Sequence, residues 1–181
     1  MTDSPPSPAR PRRTAPALAL ALVVYALDQV TKVLAVAHLE PGVRQPFIGE
    51  LLQFHLIRNP GAAFSFATGS TWVFTVLASA VVVVVLWLAR RLRSTAWALA
   101  FGFLLAGAAG NLTDRFLRQP GFARGHVVDF LELPHWPIFN VADASVCAAA
   151  VLIAVLSLRG VALDGTREQG AARDAGEGSR A

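Results

Sequence analysis

Residues 71–88 read TWVFTVLASAVVVVVLWL, a stretch without a single charged side chain. An apolar run of that length marks a helix that crosses a bilayer. Three more such blocks lie around it. The first covers about 15–37. At about 1.5 Å per residue its helix reaches roughly 34 Å, enough to cross the hydrocarbon core. The third covers about 95–112 and carries Gly102, Gly107 and Gly110, small residues that let helices approach closely in lipid. The fourth covers about 139–158. Composition agrees: 54% of the 181 residues are hydrophobic and 15% are charged, where an ordinary soluble domain has about 25% charged.

The net charge is +4, and its placement matters more than its size. Arg10, Arg12 and Arg13 precede the first block, Arg90, Arg91 and Arg93 separate the second from the third, and Arg159 follows the fourth. Ten of the sixteen Arg and Lys residues lie in the tails, in the 90–93 loop or at Arg159, so that side is expected to be the cytoplasm. Four spans then place both termini there. This distribution, without a nucleic-acid-binding motif, speaks against a nucleic-acid partner. Ala35-Val36-Ala37 has the form of a signal-peptide cleavage site, but Asp28 and Lys32 interrupt the segment where such a peptide should be apolar. Residues 1–13 and 160–181 read as disordered cytoplasmic tails around a 14–159 membrane domain. The single Cys147 excludes an intramolecular disulfide and reads as a small packing residue.

Two longer connections, about 38–70 and 113–138, fall on the opposite side. In the first, Leu52, Phe54 and Leu56 alternate with Gln53, His55 and Ile57, mostly the period of a half-buried strand. Pro41-Gly42 and Asn59-Pro60-Gly61 are turn signals on either side, and a short helix is expected from near Pro60. Residues 127–133 read as a second short strand. The expected fold is therefore an all-α membrane protein of four transmembrane helices, with a small β element resting on their outer ends.

Ionisable groups in or beside apolar helices are costly and need an explanation. Asp28 and Lys32 are four residues apart on one helix face, with the acid first, the favoured order for a helical pair. They read equally well as an internal ion pair and as a substrate contact. Asn111 and Asp114 share a face at the end of the third block, and Arg115 follows. Arg115 can meet headgroups or pair with Asp114. Asn140 and Asp143 repeat the spacing at the start of the fourth block. Taken alone, Asp143 suits a helix-start acid and Asp129 a solvated strand residue. Together, two acids embedded in apolar sequence flank one short connection at the same membrane face.

That pair suits peptide hydrolysis. Two carboxylates held close share one proton. One takes a proton from water while the other polarises the substrate carbonyl. Rival chemistries lack their residues. There is no His-Glu-x-x-His motif, no Gly-x-Ser-x-Gly elbow and no phosphate-binding glycine loop, and His38, His55, His126 and His135 show no ligand spacing. No metal or other cofactor is expected. A small transporter would use Asp28, Lys32 and Asp143 as carriers, but no polar stripe crosses the second helix. A scaffold acting through its glycine-rich faces would leave Asp129 and Asp143 without a purpose. The Tyr-Asp and Gly-x-Gly-Asp pair of presenilin-type proteases does not occur, since Ala26 follows the only tyrosine, Tyr25.

Five segments carry a family resemblance: Asp28-Gln29-Val30-Thr31-Lys32, Asn59-Pro60-Gly61-Ala62-Ala63-Phe64-Ser65, Gly110-Asn111-Leu112-Thr113-Asp114-Arg115, Val127-Val128-Asp129-Phe130 and Phe139-Asn140-Val141-Ala142-Asp143. Each is weak alone. All five in this order, with four spans around them, resemble the bacterial lipoprotein signal peptidases, the signal peptidase II family of aspartic intramembrane peptidases. The resemblance implies four inner-membrane helices, an extracytoplasmic β-cradle and a site near the outer membrane surface. It implies cleavage of diacylglyceryl-modified prolipoproteins just before the lipobox cysteine, by a monomer in contact with membrane lipid. It assigns catalysis to Asp129 and Asp143, and substrate binding or site shaping to Asp28, Lys32, Asn59, Asn111, Asp114, Arg115 and Asn140. Ala62, Ala63, Phe64 and Phe66 are expected to form an apolar lip over the site.

Overall fold

A computed structural model describes residues 11–61 and 71–167. The lip at 62–66 and the short helix expected after Pro60 therefore fall outside the described residues. Four helices are long and apolar enough to span a membrane: α1 (Thr14–His38), α2 (Thr71–Ala89), α3 (Thr95–Leu117) and α4 (Val141–Leu158). Three strands, β1 (Arg44–Ile48), β2 (Leu52–Asn59) and β3 (Val127–Glu132), form one antiparallel sheet in the order β1-β2-β3.

The centre of the bundle is α3, which packs on α1, α2 and α4. Its apolar window is 44% buried, against 17–22% for the other three helices. Small residues make this possible. A Cβ on Gly107 would sit 2.4 Å from the Ala142 carbonyl oxygen, and one on Gly102 would sit 3.0 Å from that of Ala17. The outer faces of α1, α2 and α4 expose Leu22, Val23, Leu77, Val83 and Val151, the composition that lipid requires. Cys147 is exposed on α4 rather than packed inside.

Two helix boundaries differ from the hydropathy reading. The third helix runs on from 112 to Leu117, so Asp114 and Arg115 lie within it. Hydropathy ends at the first charges, but here Lys32 and Arg118 neutralise Asp114 and the backbone ladder continues. The fourth helix starts at Val141, not Phe139, because Asn140 caps it by accepting the Asp143 N–H at 3.0 Å.

Strand β1 was not legible. Pro46 interrupts its pattern, but β1 is an edge strand, where proline is tolerated. The sheet rests on the last turns of α1 through Ala35, Leu56, Val128 and Phe130. At the other end, the first part of the presumed C-terminal tail is folded. Val161 and Leu163 pack into the core, the Leu163 carbonyl accepts the N–H groups of Arg93 and Ser94, and the Val161 carbonyl accepts Trp97 Nε1–H. Two isolated apolar residues are too few to form a period, which is why the sequence read as disordered from 160.

Gly107→Ala should destabilise the protein by about 1–3 kcal/mol through overpacking against α4, seen as a lower thermal midpoint in detergent. An unchanged midpoint would mean that the two helices do not approach this closely.

Candidate active site

All nine polar residues singled out from the sequence gather at the sheet end of the bundle, and they sort into two layers. The inner layer is built on Lys32, which is fully buried. Its ammonium contacts Asp28 Oδ2 at 3.0 Å and Asp114 Oδ2 at 2.9 Å, and donates to Asn111 Oδ1 at 3.0 Å. The second Asp28 oxygen accepts the Ala142 N–H at 2.8 Å, which ties α1 to the first turn of α4. Asp114 also accepts the Val128 N–H at 3.1 Å and pairs with Arg118 Nε at 2.5 Å. Asp28, Lys32 and Asp114 are at most 1% exposed. Asp28 and Lys32 thus form an internal ion pair. Two charged acids and two bases balance, as burial demands.

The outer layer holds the other two aspartates. Asn59 lies opposite Val127 and Asp129 lies opposite Ile57, so Asn59 and Asp129 are diagonal neighbours across β2 and β3. The Asn59 amide donates to Asp129 Oδ2 at 2.8 Å, while its Oδ1 accepts the Gly61 N–H at 2.8 Å and fixes the turn. The chain returns from β3 through a bridge between Leu131 and Phe139, which brings Asn140 beside Asp129. Asn140 Nδ2 donates to Asp129 Oδ1 at 2.6 Å and to Asn111 Oδ1 at 3.2 Å. The Asn140 backbone N–H donates to Asp143 Oδ2 at 3.2 Å, and Asn111 Nδ2 donates to Asp143 Oδ1 at 2.7 Å. Asp143 is indeed a helix-start acid, closing a capping box with Asn140. It also remains half-buried, where water can reach it.

Asp129 is 1% exposed. Burial, helped by the charge of Asp143, pushes its carboxyl up to about 6, against the opposing pull of the Asn59 and Asn140 amides and of Lys32. Asp129 is therefore not the solvated strand acid that it resembles in isolation. Arg115 does not pair with Asp114, whose oxygens are taken by Lys32, Arg118 and Val128. Its guanidinium lies over the Phe74 ring, 5.4 Å from the centroid, and Nη1 is buried with no hydrogen-bond partner among the described residues.

Two contributors were given no role. Gln29 donates to Asp28 Oδ2 at 2.9 Å and to the Gly110 carbonyl at 3.2 Å. Arg118 lies four residues after Asp114, a helical-pair spacing that is present in the sequence. At Gly110, one of the glycines expected to allow close helix approach, a Cβ would fall 2.5 Å from Asp28 Oδ2. No cluster of three or more His, Cys, Asp or Glu side chains placed to hold a metal occurs among the described residues.

Two acids coupled through one asparagine, at the end of a four-helix membrane bundle, form the arrangement that an aspartic peptidase of the membrane requires. The family model described as signal peptidase (SPase) II matches residues 20–159. The chain is 54% identical over 160 residues to the lipoprotein signal peptidase of Mycobacterium tuberculosis (strain ATCC 25618 / H37Rv), covering 88% of this chain and 79% of that one. It is 48% identical over 177 residues to the lipoprotein signal peptidase of Leifsonia xyli subsp. xyli, covering 95% and 80%. A solved structure described as a bacterial membrane enzyme superposes with a TM-score of 0.74 at 26% identity, over 84% of this chain and 98% of that one. The chain belongs to the signal peptidase II family.

Lys32→Met leaves Asp28 and Asp114 without their shared cation. Breaking a buried pair in this way costs about 3–5 kcal/mol. The thermal midpoint should fall sharply, and adding Asp114→Asn should recover part of the loss. A single variant that melts like the parent would remove Lys32 from the centre of the structure.

Proposed function

We propose that Asp129 and Asp143 are the catalytic pair of an endopeptidase that removes signal peptides from diacylglyceryl-modified prolipoproteins, cutting just before the lipobox cysteine. The observation that carries this is Asn140, whose side chain donates to Asp129 while its backbone N–H and side-chain oxygen hold Asp143. One residue thereby sets the relative position of both acids.

With one proton on the pair, the ionised carboxylate removes a proton from water. The oxygen attacks the scissile carbonyl carbon while the protonated acid gives its proton to the carbonyl oxygen. The tetrahedral intermediate then collapses, the C–N bond breaks, and the amine leaves with a proton from the pair. Arg115 Nη1 is the donor we assign to a substrate carbonyl, since it is buried with no hydrogen-bond partner among the described residues. Asp28, Lys32 and Asp114 shape the site, since their paired charges tie α1, α3 and the first turn of α4 together. Asn59, Asn111 and Asn140 orient the acids.

The site faces the extracytoplasmic side of the inner membrane, with both termini cytoplasmic. The support is the arginine-rich opposite end, at Arg12, Arg13, Arg90, Arg91, Arg93 and Arg159. A single chain suffices, since every member of the network comes from the same polypeptide. A helical signal peptide and its lipid can stay in the bilayer while water reaches Asp143.

Asp129→Asn and Asp143→Asn should each lower cleavage of a diacylglyceryl-modified prolipoprotein by about two to four orders of magnitude, with the fold retained. Parent-like cleavage by either folded variant would end the dyad assignment. The reaction also needs a proton on the pair, so kcat/KM should fall as pH rises through about 6, where Asp129 ionises. The Asn59 amide favours the charged carboxylate, so Asn59→Ala should move that limb to higher pH. A limb that stays put or moves down would show that Asn59 does not set the titration.

A further inference from the structure

Side chains from all three strands meet at one carboxylate. Arg44 of β1 donates from Nε and Nη2 to Glu132 at the end of β3, both at 2.8 Å. From β2, His55 Nδ1 lies 2.8 Å from Glu132 Oε2. The Arg44 bonds hold the Glu132 carboxyl below the usual carboxylate range. Glu132 is therefore ionised and only accepts, so His55 Nδ1 carries the proton. Arg44 is largely exposed, and a pair of that kind adds little stability.

The sheet is irregular at the same place. Gln53 lies opposite Glu132 and Phe54 opposite Leu131, but the next pair is Ile57 opposite Asp129. Three steps along β2 thus match two along β3, and the extra residue is taken up at 55–56 as a bulge. Toward β1 the register holds, with His55 opposite Arg44. Strand β3 is fixed to α3, where Asp114 accepts the Val128 N–H. Strand β2 rests on α1 through the apolar packing of Leu56 with Ala35, which is non-directional. The place of β2 along β3 decides whether Asn59 meets Asp129. A slip of one residue would move Asn59 by about 3.3 Å and turn its side chain to the other face.

We infer that His55, held by Glu132 and Arg44, is a positioning residue that pins the β2 bulge and so keeps the Asn59 amide on Asp129. Its effect on cleavage rests on the reading of Asp129 as a catalytic acid; its effect on the Asn59–Asp129 contact, 2.8 Å long, does not. That effect has a sign of its own. Losing the Asn59 amide disfavours the charged form of Asp129, so its titration moves to higher pH. Merely removing the Glu132 charge, about 10 Å along the strand, would move it to lower pH. The other charged groups acting on Asp129 are Asp143 from α4, Lys32 from α1 and Arg115 from α3, and all of them stay in place.

The test is an NMR titration of the isotope-labelled Asp129 carboxyl in the full chain in detergent, assigned by its loss in Asp129→Asn, beside the pH profile of prolipoprotein cleavage. His55→Ala and Glu132→Ala should each move the Asp129 midpoint up by most of the shift that Asn59→Ala gives. The high-pH limb of kcat/KM should move with it. Either change added to Asn59→Ala should move the midpoint no further. Glu50→Gln, which removes an acid from the cleft that Arg44 and Glu132 also line, should leave it where it is. A midpoint that stays or falls in either folded variant, or that rises additively with Asn59→Ala, overturns the positioning role. Loss of folding in both variants overturns it too, in favour of general support of the sheet. A midpoint that moves as expected while the kcat/KM limb stays put supports the positioning role and overturns instead the part given to Asp129 in cleavage.

Discussion

A single ammonium group sits where three helices and a strand converge. Lys32 reaches Asp28 on its own helix and both Asn111 and Asp114 on α3. Through the second oxygen of Asp28 it governs the first turn of α4, and through Asp114 it governs the start of β3. Removing ions from water costs several kcal/mol each, and the attraction between them offsets this only when the geometry is good and the remaining lone pairs are satisfied. Here nearly every oxygen is engaged, by Gln29, Ala142, Val128 or Arg118. The network is therefore intolerant of displacement. In a lipid-facing bundle, where apolar packing gives weak orientational preference, that intolerance sets how the helices meet.

The outer layer is built outward from this inner layer through amides. Asn111 touches Lys32 with its oxygen and Asp143 with its nitrogen. Asn140 links Asp143, Asn111 and Asp129. An amide can donate and accept at once, so it passes a fixed orientation from one carboxylate to another without adding charge. The buried charges hold the helices, and the asparagines transmit their positions to two acids that must stay near each other and near water. The small residues of α3 serve the same end, since Gly107 and Gly110 let α4 and Asp28 approach as closely as these bonds need.

The membrane also explains the division of the molecule into two polar ends. Ionisable side chains gather at the sheet end, where β3 carries Asp129. The opposite end gathers Arg13, Arg93, Arg159 and Arg167. Between the two, the outer faces of the helices are apolar. Neither end can be built from the helices alone. The first needs β2 and β3, and the second needs the turn after α4, where Val161 and Leu163 return to the core.

Much of this was legible in the chain itself. Four apolar blocks can only be spanning helices, because lipid leaves the backbone no other way to satisfy its hydrogen bonds. Acids within such blocks announce themselves, and all nine of the polar residues singled out do lie at the sheet end. The roles cannot be read from spacing alone. Spacing along one helix gives a shared face, but not whether that face meets water, substrate or a partner charge. Asp28 and Asp114 look as reactive as Asp129 and Asp143 in sequence, and only the tertiary structure sealed the first two with Lys32 and left Asp143 half-buried. Strand β1, the folded turn at 161–167 and Gln29 were likewise decided by contacts distant in sequence. Local pattern determines which segments enter the membrane. Long-range packing determines which buried charges are neutralised, and so which are left to do chemistry.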